Sequence, residues 1–252
     1  MRLGLMLLSL VWAGSALGSQ CLPMLHNDIA TRDGNLLLVQ GGETFTVSDQ
    51  GGLKFAVHHV SLRSEQTRAL AEYRRQLMQD LPYMHTTLRS ELDRVVGKVD
   101  QALAAQLGEQ SASRQQLTQF QQQLNSQLQG IFGAPGSDPQ FRHQRVLLLS
   151  EKIEQQFKTL LVQLGVTGMG DLARLPTESG EDKMAKISER MGLLQEELQG
   201  IIELQQPQMA ALNQDFCQRL ARWQTHEQQI QALIPALKEW QTVTLSQSVS
   251  EP

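Results

Sequence analysis

The sequence is short of charge, of cysteine and of long hydrophobic runs. Only 19% of its 252 residues are charged and the net charge is −4. Phosphate binding needs a basic surface, so nucleic acid is not expected as a main partner. With 40% hydrophobic residues the chain has material for a core, and its low charge argues against a disordered protein. The two cysteines, Cys21 and Cys217, form no Cys-x-x-Cys motif, which argues against a redox role. Beyond residue 18 no segment is long or apolar enough to span a bilayer. There is no phosphate loop, no Gly-x-Ser-x-Gly elbow and no EF-hand spacing.

What is present begins with a targeting pattern. Met1-Arg2 is a short positive start, Leu3 to Ala13 is an apolar run, and Ala16 and Gly18 are small residues at −3 and −1 of a cleavage site. Gly14-Ser15 interrupts the run too early for a membrane anchor. A lipoprotein signal wants a small residue before the cysteine, and Gln20 precedes Cys21, so cleavage is expected near Gly18/Ser19 with a product free of lipid. Loss of Arg2 with residues 1–18 takes the net charge to −5.

Residues 19–62 predict a small β lobe. Asp33-Gly34, Gly41-Gly42 and Asp49-Gln50-Gly51-Gly52 are turn signals, with alternating segments at Thr44 to Ser48 and Leu53 to His58 and an apolar strand at Asn35 to Gln40. About 40 residues cannot bury a self-sufficient core, so the lobe must pack on the rest. From Ser64 the period becomes 3.6. Six stripes follow: Leu70 to Leu81, ended or kinked by Pro82; Leu88 to Leu107; Leu117 to Leu128; Val146 to Leu164; Ile187 to Ile202; and Met209 to Leu233, started by Pro207. A Gly-rich link is expected at Gly165 to Gly170. The stripes are narrow, which suits long helices in antiparallel hairpins or coiled-coil-like packing. Most of the 35 glutamines sit inside these periodic segments as solvated helix formers. The expected fold is therefore mainly α: an N-terminal antiparallel β meander, then about six amphipathic helices over residues 63–240, then a loose tail over 241–252.

An even cysteine count in an exported chain suggests a disulfide, Cys21 to Cys217. It would close a loop of more than about 100 residues, for which the chain-entropy model gives at most about 5 kcal/mol. Other chemistry screens out. His226-Glu227 begins a zinc-protease pattern, but position 230 is Ile230. His58 and His59 are adjacent on a strand and point to opposite faces. With His26 they could make at most a loose surface metal site; His85 and His143 have no partners at ligand spacing. Gly168-Met169-Gly170-Asp171 lacks the third glycine and the preceding strand of a dinucleotide loop. Glu196 and Glu197 diverge on a helix, and Glu181-Asp182 suits a helix N-terminus. The basic pairs Arg74-Arg75, Arg142/Arg145 and Arg219/Arg222 fit helix-face charges.

Gln20-Cys21, Gly34-Asn35-Leu36, Ser61-Leu62, Tyr73, Leu81-Pro82-Tyr83 and Asp215-Phe216-Cys217 fall in the order of a family. In these residues the chain resembles the YggN-like proteins, uncharacterised exported proteins of gram-negative bacteria with one domain of unknown function. The family's tryptophan after the proline is replaced here by Tyr83. The resemblance implies a periplasmic location and no activity, so it carries no catalytic residues over. The expected function is a non-enzymatic module binding a protein or envelope partner, without cofactor or metal. A chaperone-like client binder remains open, as does an enzyme such as a cell-wall hydrolase with its site near Asp49, His58 and His59.

Overall fold

The computed structural model describes residues 21–40, 42–174 and 182–247. Residues 1–18, expected above to be a signal peptide, and Glu181 lie outside them. Along the described chain run β1 (Cys21–Leu25), β2 (Ile29–Arg32), β3 (Asn35–Gln40), β4 (Glu43–Val47), β5 (Leu53–Phe55) and β6 (His58–Val60). Helices α1 (Ser64–Leu107) and α2 (Ala112–Phe132), strand β7 (Gln140–Phe141), and helices α3 (His143–Arg174) and α4 (Lys183–Leu233) follow, then a 3-10 turn (Pro235–Leu237) and β8 (Val243–Gln247).

The meander forms as its turns dictate. Asp33 and Gly34 both adopt left-handed backbone (φ 50° and 75°), the conformation that lets a two-residue turn join β2 to β3. The sheet order is β6-β5-β4-β3-β2-β7, with every pair antiparallel. Leu53 to His58 is not one strand. The chain reverses at Ala56 (φ 51°), so Phe55 pairs with His58 and Lys54 with His59. Gly51, at φ +78°, lets the β4–β5 turn press on α1: a Cβ there would stand 1.9 Å from the Thr67 carbonyl oxygen.

The described helices number four, not about six. Pro82 lies inside α1 and Pro207 inside α4, so each proline joins two predicted stripes into one helix. A proline costs a helix interior about 3 kcal/mol. Around Pro82 the buried Leu77, Leu81 and Met84 hold the helical path through tertiary packing. The link expected at Gly165 to Gly170 is helical too, and α3 runs on to Arg174. Leu172 and Asp171 are buried beyond it and fasten that end.

The tail also differs from expectation. Residues 243–247 are β8, paired antiparallel with β1 so that Cys21 faces Gln247 and Leu25 faces Val243. Trp240, Thr242 and Val243 are fully buried. Residues 248–252 lie outside the described residues.

Two apolar clusters organise the chain. One joins the sheet (Ile29, Leu36, Leu38, Val47, Leu53) to Leu70, Tyr73 and Leu77 of α1, Phe132 of α2, Trp223 of α4 and Trp240. The other joins Leu103, Leu117, Leu160 and Leu194, one from each helix. Helix α1 spans both, and at 1.5 Å per residue its 44 residues reach roughly 66 Å.

Candidate functional site

Where α1 meets α4, two polar inserts interrupt the apolar seam. Asp80 is 3% exposed. Its carboxylate accepts from Arg219 at 2.5 Å and from the Trp223 indole at 2.8 Å. The Arg219 guanidinium also bonds Asp215 and lies 3.7 Å from the centre of the Tyr83 ring. Two turns on, Glu227 is fully buried. It accepts from the Tyr73 hydroxyl at 2.6 Å and from the backbone N–H groups of Thr242 (3.0 Å) and Val243 (3.4 Å). Burial pushes the Glu227 carboxyl above its ordinary value, and burial then the Glu227 charge push the Tyr73 phenol up. Both groups have no exposed surface, so this pair fastens the strand that follows α4 and meets no substrate.

A third buried acid fastens the far end. Asp171 of α3 accepts from the N–H groups of Ala112 and Ser113 and from the Ser113 hydroxyl, so it caps α2 from another helix. Burial raises its carboxyl, but these donors outweigh burial and hold it below the ordinary range.

The histidines are dispersed. His26 bonds the Thr244 hydroxyl, His143 bonds Asp28, His85 stacks on Phe132, and His226 lies 6.5 Å from the Tyr73 ring. His58 and His59 lie on the sheet's outermost strand, exposed. Asp49 is in the β4–β5 turn, bonded to Gln50, and no hydrogen bond or ion pair joins it to them among the described residues. Nor is there a group of three or more His, Cys, Asp or Glu able to hold a metal ion among those residues. Asp182 caps α4, accepting from Met184 and Ala185. Cys21 opens β1, but its side chain is outside the described residues; Cys217 is in α4.

The outward face of α3 is different in kind. From Thr159 to Gly170 it carries no charge. Phe157, Leu161, Val162, Val166 and Met169 are exposed there, Val162 and Val166 by two-thirds. At 100° per residue they occupy one half of the helix circumference over roughly 18 Å of length. The opposite half is anchored: Leu160 is buried with Leu117, and Thr167 donates to Gln116. The periodic stripe from Val146 to Leu164 includes Phe157, which the structure leaves exposed; the remaining exposed residues fall off that period and could have been found from the uncharged run.

The chain matches the family model described as "Protein of unknown function (DUF2884)" over residues 21–243. It belongs to the DUF2884 family. Proteins called "Uncharacterized protein YggN" from Escherichia coli K12 and from strain O157:H7 are each 21% identical to it over 222 residues, 87% of this chain and 91% of theirs. No solved structure matches. The DUF2884 match opens at Cys21 and closes at Val243, so it contains all three buried carboxylates and the α3 face. No helix among its described residues is long and apolar enough to cross a membrane.

Proposed function

We propose that this DUF2884 protein is an exported, non-enzymatic binding module of the periplasm, and that the α3 face receives an apolar helical segment of a partner protein. The observation that carries the reading is the exposed apolar stripe from Phe157 to Met169, whose one charge is Lys158 at its start. Contiguous exposed apolar surface marks interaction sites. Its width is that of one helix, which suits helix-on-helix docking with anchors at i, i+4 and i+5. The acidic net charge works against an anionic lipid surface as the occupant. Export is supported by Arg2, the apolar run and the small residues Ala16 and Gly18.

The reading includes a Cys21–Cys217 disulfide. Leu245 bonds Gln224 through its N–H, as Val243 bonds Glu227, so β8 runs antiparallel to α4. Two residues further, Gln247 approaches the turn of α4 that contains Leu220, and Cys21 is its strand partner. Cys217 is one turn beyond.

A photoreactive benzoylphenylalanine at Val162, in living cells, tests the docking. The expected product is one adduct of discrete mass, identified by mass spectrometry, lost when Val166→Asp is added and not formed from exposed Gln122 on α2. Equal labelling from Gln122 would refute it. A broad mixture of unfolded proteins would replace single-partner docking by chaperone-like client capture.

A further inference from the structure

A cleft of about 250 Å³ lies between α1 and the loop 133–139. One wall is the α1 face that carries Pro82, His85 and Arg89. The other is Phe132 with Pro135 and Pro139. The loop wall is held in shape. Gly133 sits at φ +93°, where a Cβ would meet the Ser137 hydroxyl at 2.9 Å, and Ser137 bonds back to the Ala134 carbonyl. Pro139 is tied to β2, its carbonyl accepting from the Thr31 N–H (3.1 Å) and hydroxyl (2.7 Å). The His85 ring stacks on Phe132 with centroids 5.4 Å apart and planes 11° from parallel, an aromatic stack that joins the two walls.

The charge of the lining is one-sided. Arg89 lies in it and no carboxylate does. The loop's own acid, Asp138, is turned away to accept from the Asp33 N–H at 3.1 Å. Arg89 makes no hydrogen bond among the described residues; its ion pair is Asp93, at 3.9 Å, with both side chains about half exposed. Such a contact competes weakly for the guanidinium. Ligand sites are mostly apolar concavities with a few convergent polar groups, and a guanidinium beside aromatic and proline side chains favours a planar ring bearing an anion.

We propose that this cleft binds a small aromatic carboxylate, its ring packed beside the His85–Phe132 stack and the Pro135 and Pro139 edges, its carboxylate on Arg89. Burial and the nearby Arg89 charge both hold the His85 imidazole below its ordinary pKa, so the ring is neutral at neutral pH and leaves Arg89 as the anion's partner.

Phenylacetate, benzyl alcohol, benzylamine and acetate, each titrated into the purified full chain, test this by NMR of the His85 and Phe132 ring protons. A ligand of about ten non-hydrogen atoms binds at millimolar or tighter dissociation constants. Phenylacetate alone is expected to shift those signals saturably, and Arg89→Gln to weaken it by about tenfold with the folded spectrum retained. Unmoved signals at about 50 mM, equal effects of acetate, benzyl alcohol or benzylamine, or undiminished binding by the variant would each overturn the proposal.

Discussion

Glu227 lies where water does not reach, and three donors from two other segments converge on it. Replacing it with Ala strands a hydroxyl and two N–H groups at about 1–3 kcal/mol each, so Glu227→Ala should cost about 3–5 kcal/mol in urea unfolding. Glu227→Gln should cost less, since the Tyr73 hydroxyl can accept from the amide while the amide oxygen keeps the backbone donors. The pH dependence separates the two acids. The folded Glu227 carboxyl titrates above the unfolded value of 4.5, so its contribution is most favourable at low pH and declines as pH rises from 4.5 through the folded value. Glu227→Gln should remove that decline. Asp171 titrates below 3.8, so its contribution is full above 3.8 and is lost as pH falls through the folded value. Denaturant midpoints measured across pH 3–8 check both signs. These residues were poorly legible in the sequence. Glu227 beside His226 looks like a solvated pair, and its hydroxyl partner Tyr73 is 154 positions away, beyond any periodicity. Asp80 left a trace, as a charge interrupting the stripe between Leu77 and Leu81.

At the scale of the element, the two prolines set how many helices the described chain forms, because each lies inside one. Helix type was legible because apolar residues recur at 3.6 over every stripe; helix number was not, because propensity ends a helix at a proline and tertiary packing overrides it here. Pro207 is exposed within α4. Pro207→Ala restores an N–H to the i−4 ladder and should stabilise the protein by about 1–3 kcal/mol, read as a raised unfolding temperature. A lowered temperature would mean that α4 needs the proline for its packing. Strand β8 was hidden for another reason. Thr242-Val243-Thr244-Leu245 is a strand-like segment, but its partner β1 is at the other end of the chain, so no local turn announces the pairing. Deleting residues 241–252 should leave β1 without its ladder and Glu227 without two donors. A loss of at least about 3 kcal/mol is expected in the same unfolding assay.

At the scale of the whole molecule, the sheet and the helices share one core, with Ile29, Leu36 and Leu53 beside Tyr73 and Trp223. A fragment of residues 19–62 loses that partner surface and should give collapsed, undispersed amide signals. If Cys21 and Cys217 are bonded, Cys217→Ser should lower stability by about 2–5 kcal/mol and expose the N-terminal segment to protease. Two titratable thiols in the denatured protein, purified under oxidising conditions, would reject the bond. Docking on α3 has a readout already built into the sequence. Met169 on the α3 face and Met24 on β1 are comparably exposed, 57% and 51%, so both should oxidise to sulfoxide in the purified protein. Peroxide treatment of intact cells, followed by mass spectrometry of the extracted protein, compares the same pair in place. Protection of Met169 alone, with Met24 oxidised as in the purified protein, is the expected result. An unchanged Met169-to-Met24 ratio would contradict a partner on that face.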